Sequence, residues 1–266
     1  MADSEIQTWH YGLVARWWAE FNQDGAADIA FFGGVIERCG QPVLDAGCGT
    51  GRLLLPFVRS GLDVDGSDVS QDMLDWCAHR AETEGLSVNL YHQAMHQLDL
   101  PRKYRTVVAC GAFGLGGDRS TDIEGLRRIR AHLEPEGMLI MDHHVAKTNL
   151  ATDEGAVLAR PLPWPEHGDR RPVDDRTVLE LRTRLVESKT SPRSVVREIS
   201  VRQFDDEIEV AHETNSIVIC LYSASELQEL LVEAGFRDVR VEDELDVHDS
   251  TPNADRADRI AVSAVR

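Results

Sequence analysis

Between residues 43 and 52 the chain reads Val-Leu-Asp-Ala-Gly-Cys-Gly-Thr-Gly-Arg, and this stretch leaves the fold little freedom. Val43–Ala46 has the composition of a short buried strand, and glycines at 47, 49 and 51 follow it at once. Glycine admits backbone torsions closed to other residues and puts no Cβ in the way of a ligand. Residues 52–59 then carry helical spacing, so the glycines join a strand to a helix whose first N–H groups lack intrahelical partners.

The same strand–turn–helix rhythm continues. A second strand starts at Leu62–Val64 and ends near Asp68, and Ser70 is placed to cap a helix with Met73, Leu74, Cys77 and Ala81 on one face. Residues 88–91, 106–110 and 138–141 read as further strands, with a helix striped by Ile123, Leu126, Ile129 and Leu133 before the last. Such alternation specifies an α/β fold, a doubly wound and mostly parallel sheet with helices on both faces. Two helices, about 5–21 and 26–38, come first, and Ile6, Trp9, Leu13, Trp17 and Phe21 form an apolar stripe on the first, suited to packing on the core.

Residues 146–222 break the rhythm. After the Pro-rich stretch 161–165, extended segments at 177–187, 194–204 and 207–221 read as an inserted antiparallel sheet, with Asp205-Asp206 as a turn. Regular order resumes with Ser223-Ala-Ser-Glu226, a capping box, and Gly235 closes that helix. Strands 236–241 and 259–265 finish the chain. The expected division is a helical cap (1–39), a core (40–145 and 223–266) and an inserted lid (146–222).

The formal charge of −18 argues against nucleic acid and anionic membrane surfaces as partners, since both require a basic surface. The arginines between 182 and 202 are interleaved with acids and read as a solvated sheet face. Five cysteines, none in Cys-x-x-Cys spacing, fit reduced thiols better than a disulfide frame or zinc site, and no metal is expected. With neither a membrane span nor a signal-peptide pattern, a cytoplasmic location is the expectation.

A dinucleotide fingerprint, G-x-G-x-x-G, would put its third glycine at position 52, which is Arg52. The spacing here is G-x-G-x-G, with Asp45 before it and Asp68 following Gly47 by 21 residues. In this the chain resembles the class I S-adenosylmethionine-dependent methyltransferases, well over 40–145 and again in the last two strands, which resemble that family's terminal antiparallel pair in a seven-stranded sheet. The resemblance implies that Ala46, Gly47, Cys48, Gly49 and Gly51 lie against the methionine and ribose of S-adenosylmethionine. It implies that Asp68 takes both ribose hydroxyls and that Val69 and Met73 flank the adenine. The segment Gln93-Ala94-Met95 would border the adenine amino group. Ala94 stands where the family commonly has an acid, leaving backbone groups, Gln93 or water to hold the base. Cys110 and Gly111 close the site at the end of the fourth strand. Aromatic residues before the first strand often cover the cofactor in similar enzymes, which points to Tyr11 and Trp18, with Arg16 meeting the cofactor's carboxylate.

Methyl transfer from a sulfonium is an in-line displacement for which alignment supplies much of the catalysis. A general base is optional, and Asp142-His143-His144 at the end of the fifth strand offers His143 and His144. Phe113, Trp164 and Tyr222 are candidate walls for the acceptor. A lid after the fifth strand suits a compact acceptor, a natural product, sugar or amine, methylated on N or O by a monomer or homodimer. Two alternatives stand beside this reading: a non-catalytic S-adenosylmethionine-binding protein and an NAD-dependent oxidoreductase.

Overall fold

The structure, a computed structural model, describes residues 8–22, 25–145, 161–190, 193–242 and 258–266. In chain order the elements are α1 (Gly12–Phe21), α2 (Ala26–Cys39), β1 (Val43–Ala46), α3 (Leu54–Arg59), β2 (Val64–Asp68), α4 (Gln71–Thr83) and β3 (Asn89–His92). A short 3-10 turn (Met95–Gln97), β4 (Tyr104–Ala109), α5 (Arg119–His132) and β5 (Leu133–Val145) follow. Then come β6 (Asp169–Pro172), β7 (Thr177–Thr190), β8 (Arg193–Asp205), β9 (Ile208–Cys220), α6 (Ala224–Glu233), β10 (Arg237–Glu242) and β11 (Asp258–Val265).

Seven strands form one sheet in the order β10-β11-β5-β4-β1-β2-β3. β1 pairs in parallel with β2 on one side and β4 on the other, and β11 runs antiparallel to both of its neighbours. Chain order therefore reverses at β1, and a crevice opens beyond the carboxyl ends of β1 and β4. Two apolar layers sandwich the sheet. Leu44, Val107, Leu139 and Met141 face α5 and α6, while Val43, Val108 and Ile140 face α2, α3 and α4.

The fifth strand extends past the expected 138–141 because β11 pairs with it as far as Val145, so Asp142-His143-His144 lies inside the ladder and not after it. The insertion folds as a separate antiparallel sheet, β6-β7-β8-β9. Its edge strand β6 was not foreseen, since Asp-Arg-Arg-Pro has no apolar alternation.

The α1 stripe packs on this second sheet, not on the main core. Trp9, in the non-helical segment before α1, and Leu13, Val14 and Trp17 on α1 close over Leu179, Leu181, Ile199, Val201 and Ile217. Each such side chain stabilises by about 1.5–3 kcal/mol when buried. The expected helix over 5–21 begins only at Gly12, residues 8–11 being non-helical, and its expected start at 5–7 lies outside the described residues.

Candidate active site

The glycine turn is held from two sides. Gly47 and Cys48 donate their N–H groups to Ser67 O (2.7 and 3.0 Å), tying the turn to β2. From α4, Arg80 Nη1 donates to Thr50 O (2.9 Å). Glycine is required at Gly47, where φ is +81° and a Cβ would stand 2.4 Å from the Cβ of Ala112. Two methionine methyls approach the turn: a Cβ on Gly49 would lie 3.3 Å from Met73 Cε, and one on Gly47 would lie 3.5 Å from Met95 Cε.

Asp68 ends β2 beside this turn. One carboxylate oxygen accepts the Gly49 N–H (2.9 Å) and the other accepts the Ser70 N–H (2.8 Å). Burial raises its pKa, and these N–H donors oppose the rise. Ser70 caps α4 through the Met73 N–H and gives its hydroxyl hydrogen to His10 O. Asp45 is more completely enclosed, and burial lifts its pKa to about 7 against the pull of Arg52. Val69 O accepts from His92 Nε2 (2.9 Å), which places that proton on Nε2.

Gln93, expected near the adenine, folds its side chain onto its own loop. Its Oε1 accepts the Asp99 N–H (2.8 Å). Ala94 is buried and brings no polar side chain. At the end of β4, Cys110 Sγ receives a hydrogen bond from Arg52 Nη2 (3.2 Å), and the Gly111 N–H donates to Asp142 Oδ1 (2.6 Å).

Phe113, His143 and Tyr222 form a buried aromatic cluster with ring centroids 5.6–6.1 Å apart. His143 Nε2 accepts the Tyr222 N–H (3.1 Å), so the neutral ring carries its proton on Nδ1. The nitrogen best suited to act as a base is thus bound to backbone. The side chain of His144 lies outside the described residues. The Tyr222 hydroxyl donates to Asp122 Oδ2 (2.6 Å). Burial lifts Asp122 to about 6, with the Tyr222 bond opposing the rise. The same burial raises the Tyr222 hydroxyl and pushes the Cys220 thiol up to about 12. Trp164 stands elsewhere. Arg184 stacks on it at 4.5 Å, and Arg184 alternates along β7 with Leu179 and Leu181, so this is the sheet face turned away from α1.

The N-terminal segment reaches the same edge of the main sheet. The Gly12 N–H donates to Asp72 Oδ2 (2.6 Å) and the Leu13 N–H to Glu213 Oε2 (2.7 Å), so α1 is bonded to both α4 and β9. Tyr11 caps α1 and is 37% exposed. Trp18 is half-buried against His10. Arg16 turns to the lid, donating to Gln203 (2.8 Å) and pairing with Glu20 (3.9 Å).

Residues 43–137 match the family described as "Methyltransferase domain". Over that stretch the chain is similar to methyltransferase domains. A Geobacillus sp. (strain WCH70) protein named as an inferred methyltransferase is 29% identical over 141 residues, 50% of this chain and 57% of that one. The chain spans about half the length of the curated relatives that it matches. The sugar N-methyltransferase KedS8 of a Streptoalloteichus species shares the fold at a TM-score of 0.69 and 18% identity, covering all of this chain and 98% of that one. S-adenosylmethionine-bound CalS10, an amino pentose methyltransferase of Micromonospora echinaspora, superposes at 0.65 with 18% identity, covering 98% and 99%.

Asp68, the glycine turn, Met73, Met95, Cys110 and Gly111 gather at the carboxyl edge of the sheet, as do Phe113, His143 and Tyr222. One residue of this edge, Asp122, went unread in the sequence, and Asp142 was quoted there beside the two histidines without a role of its own. Asp122 stands four residues before Leu126, on the apolar stripe of α5, and an acid on such a stripe is the signal that marks it. Among the described residues no group of three His, Cys, Asp or Glu is arranged for a metal. No described helix is long and apolar enough to cross a membrane.

Proposed function

We propose that this protein moves the methyl group of S-adenosylmethionine onto an amine of a small-molecule acceptor. The observation that carries the reading is the Asp68 carboxylate, locked in plane by the Gly49 and Ser70 N–H groups beside a turn that has no room for a Cβ at Gly47. A carboxylate has acceptor sites for more than two donors, so Asp68 can take a pair of ribose hydroxyls while keeping both backbone bonds. Met73 and Met95 offer polarisable apolar contact for a purine. No phosphate-binding charge is needed, in keeping with a nucleoside ligand rather than NAD.

When bound, S-adenosylmethionine would supply an electrophilic methyl, passed to a nucleophile in line with the breaking C–S bond while the sulfonium leaves as the thioether S-adenosylhomocysteine. The chain's own part is to bind, align and exclude water. His143 Nε2 is committed to the Tyr222 N–H, so the site favours an acceptor that brings its own lone pair, as a neutral amine does and a hydroxyl does poorly. Phe113 and Tyr222 would form the acceptor wall, with the lid sheet and α1 closing over it. The sugar and amino-pentose specificities of KedS8 and CalS10 suggest amino sugars as the first acceptors to test.

Titration calorimetry with S-adenosylhomocysteine and with NAD, followed by mass spectrometry of amino-sugar and matched hydroxy-sugar acceptors, tests the reading. Micromolar binding of the sulfur ligand alone and a gain of one methyl on the amine are expected. No binding of either sulfur nucleoside would discredit it, and binding without turnover of any amine would leave only a cofactor-binding role.

A further inference from the structure

Arg52 stands where a dinucleotide turn would have its third glycine, and its side chain reaches from the glycine turn to α2 and to the carboxyl end of β4. Nη1 is ion-paired with Asp28 in the first turn of α2, and Nη2 reaches Cys110 Sγ (3.2 Å) at the carboxyl end of β4. The guanidinium therefore links the first turn of α2 to the carboxyl end of β4. Gly25 makes this path possible, since a Cβ there would stand 2.8 Å from Arg52 Nη1.

We infer that Arg52, and not Arg16, receives the α-carboxylate of the amino-acid tail of S-adenosylmethionine. This rests on the function proposed above. Three features carry it. A guanidinium presents five N–H donors in a plane, and the bonds to Asp28 and Cys110 leave others free to bind. Its side chain is 19% exposed, so the group is not sealed from solvent. A thiol sulfur is a weak acceptor, and a carboxylate offered to Nη2 replaces it with a stronger, charge-assisted bond. Arg16 meanwhile faces the lid sheet, held by Gln203 of β8 and by Glu20 one turn further along α1.

The test compares two nucleosides that differ only in the tail. S-adenosylhomocysteine has the carboxylate, and 5′-methylthioadenosine lacks the whole amino-acid group. Calorimetry on the full chain is expected to show Arg52→Met weakening S-adenosylhomocysteine by ~10–100-fold, the worth of one charged hydrogen bond, with 5′-methylthioadenosine unchanged within about threefold. Unchanged binding of the second ligand also reports an intact site. Arg52→Lys, which keeps the charge and guards against misfolding of the methionine variant, recovers part of the loss. Arg16→Met leaves both affinities alone. Equal weakening of both ligands by Arg52→Met, weakening of neither, or a selective loss in Arg16→Met would each overturn the assignment. If the wild-type chain binds neither nucleoside, the function proposed above fails as well. If it binds both but Arg52 makes no difference between them, only this inference fails.

Discussion

At Asp68, two backbone donors each claim one carboxylate oxygen, and this sets the plane of the group before a ligand arrives. Asp68→Asn keeps the shape but turns one oxygen into a donor facing an N–H. Calorimetry on this variant is expected to show S-adenosylhomocysteine binding ~10–100-fold weaker, because charge-assisted bonds to the ribose hydroxyls are lost. An unchanged affinity would remove Asp68 from the site. Two glycines allow backbone strain to be separated from steric overlap. Gly47→Ala adds the torsional cost of a non-glycine at φ +81° and a steric clash, its Cβ standing 2.4 Å from that of Ala112. Gly111→Ala adds torsion alone, at φ +63°, with nothing within 4 Å of the new Cβ. The second is expected to cost about 1–2 kcal/mol. The first should cost clearly more and abolish the thermal shift with S-adenosylhomocysteine. Equal melting temperatures for the two would show that the turn yields to Ala112 without strain.

At the scale of elements, α1 joins the two sheets. Its first N–H groups bond Asp72 on α4 and Glu213 on β9, and its apolar face fills the lid sheet. Trp17→Ala removes a side chain that is 2% exposed in that contact, so a loss of about 3–5 kcal/mol in chemical denaturation is expected. A loss under about 1 kcal/mol would mean that α1 and the lid do not depend on one another. The sequence made α1 legible through its period-3.6 stripe but said nothing of its partner, because a stripe records that a face is buried and not against what. The glycine turn, the α4 cap and the Ser223–Glu226 capping box were readable because each is local: the residues that form them are neighbours in the chain. β6 was not readable, since its Asp-Arg-Arg-Pro pairs only because Thr177–Leu181 offers a ladder. The histidines after Met141 were misplaced for a similar reason. Pairing with β11, more than a hundred residues away, keeps them within the sheet and gives His143 Nε2 to a backbone amide.

Across the whole molecule, buried acids and net charge act in the same direction on pH dependence. The unfolded chain releases an aspartate proton near pH 4, whereas the folded chain holds that of Asp122 to about 6 and that of Asp45 to about 7. Between those limits the folded state binds more protons, so stability falls as pH rises, and the loss is complete above the folded values. Self-repulsion at a formal charge of −18 adds to that fall. His10 opposes it, because burial draws its pKa down to about 4 and the unfolded chain then binds the extra proton up to its ordinary value. The histidine is half-buried by surface, so solvent screening reduces its share. A single substitution isolates one acid from these opposing effects. Asp122→Asn keeps an acceptor for the Tyr222 hydroxyl but has no proton to lose. Relative to wild type, it should gain stability as pH rises from about 4 to about 8, by up to about 3 kcal/mol for a two-unit shift at 1.36 kcal/mol per unit. In melting temperature that is of order 5–10 °C at this chain length. Parallel melting curves for the two proteins across that range would show that Asp122 titrates as it does in water, and that the Tyr222 contact does not hold it in a buried, proton-retaining site.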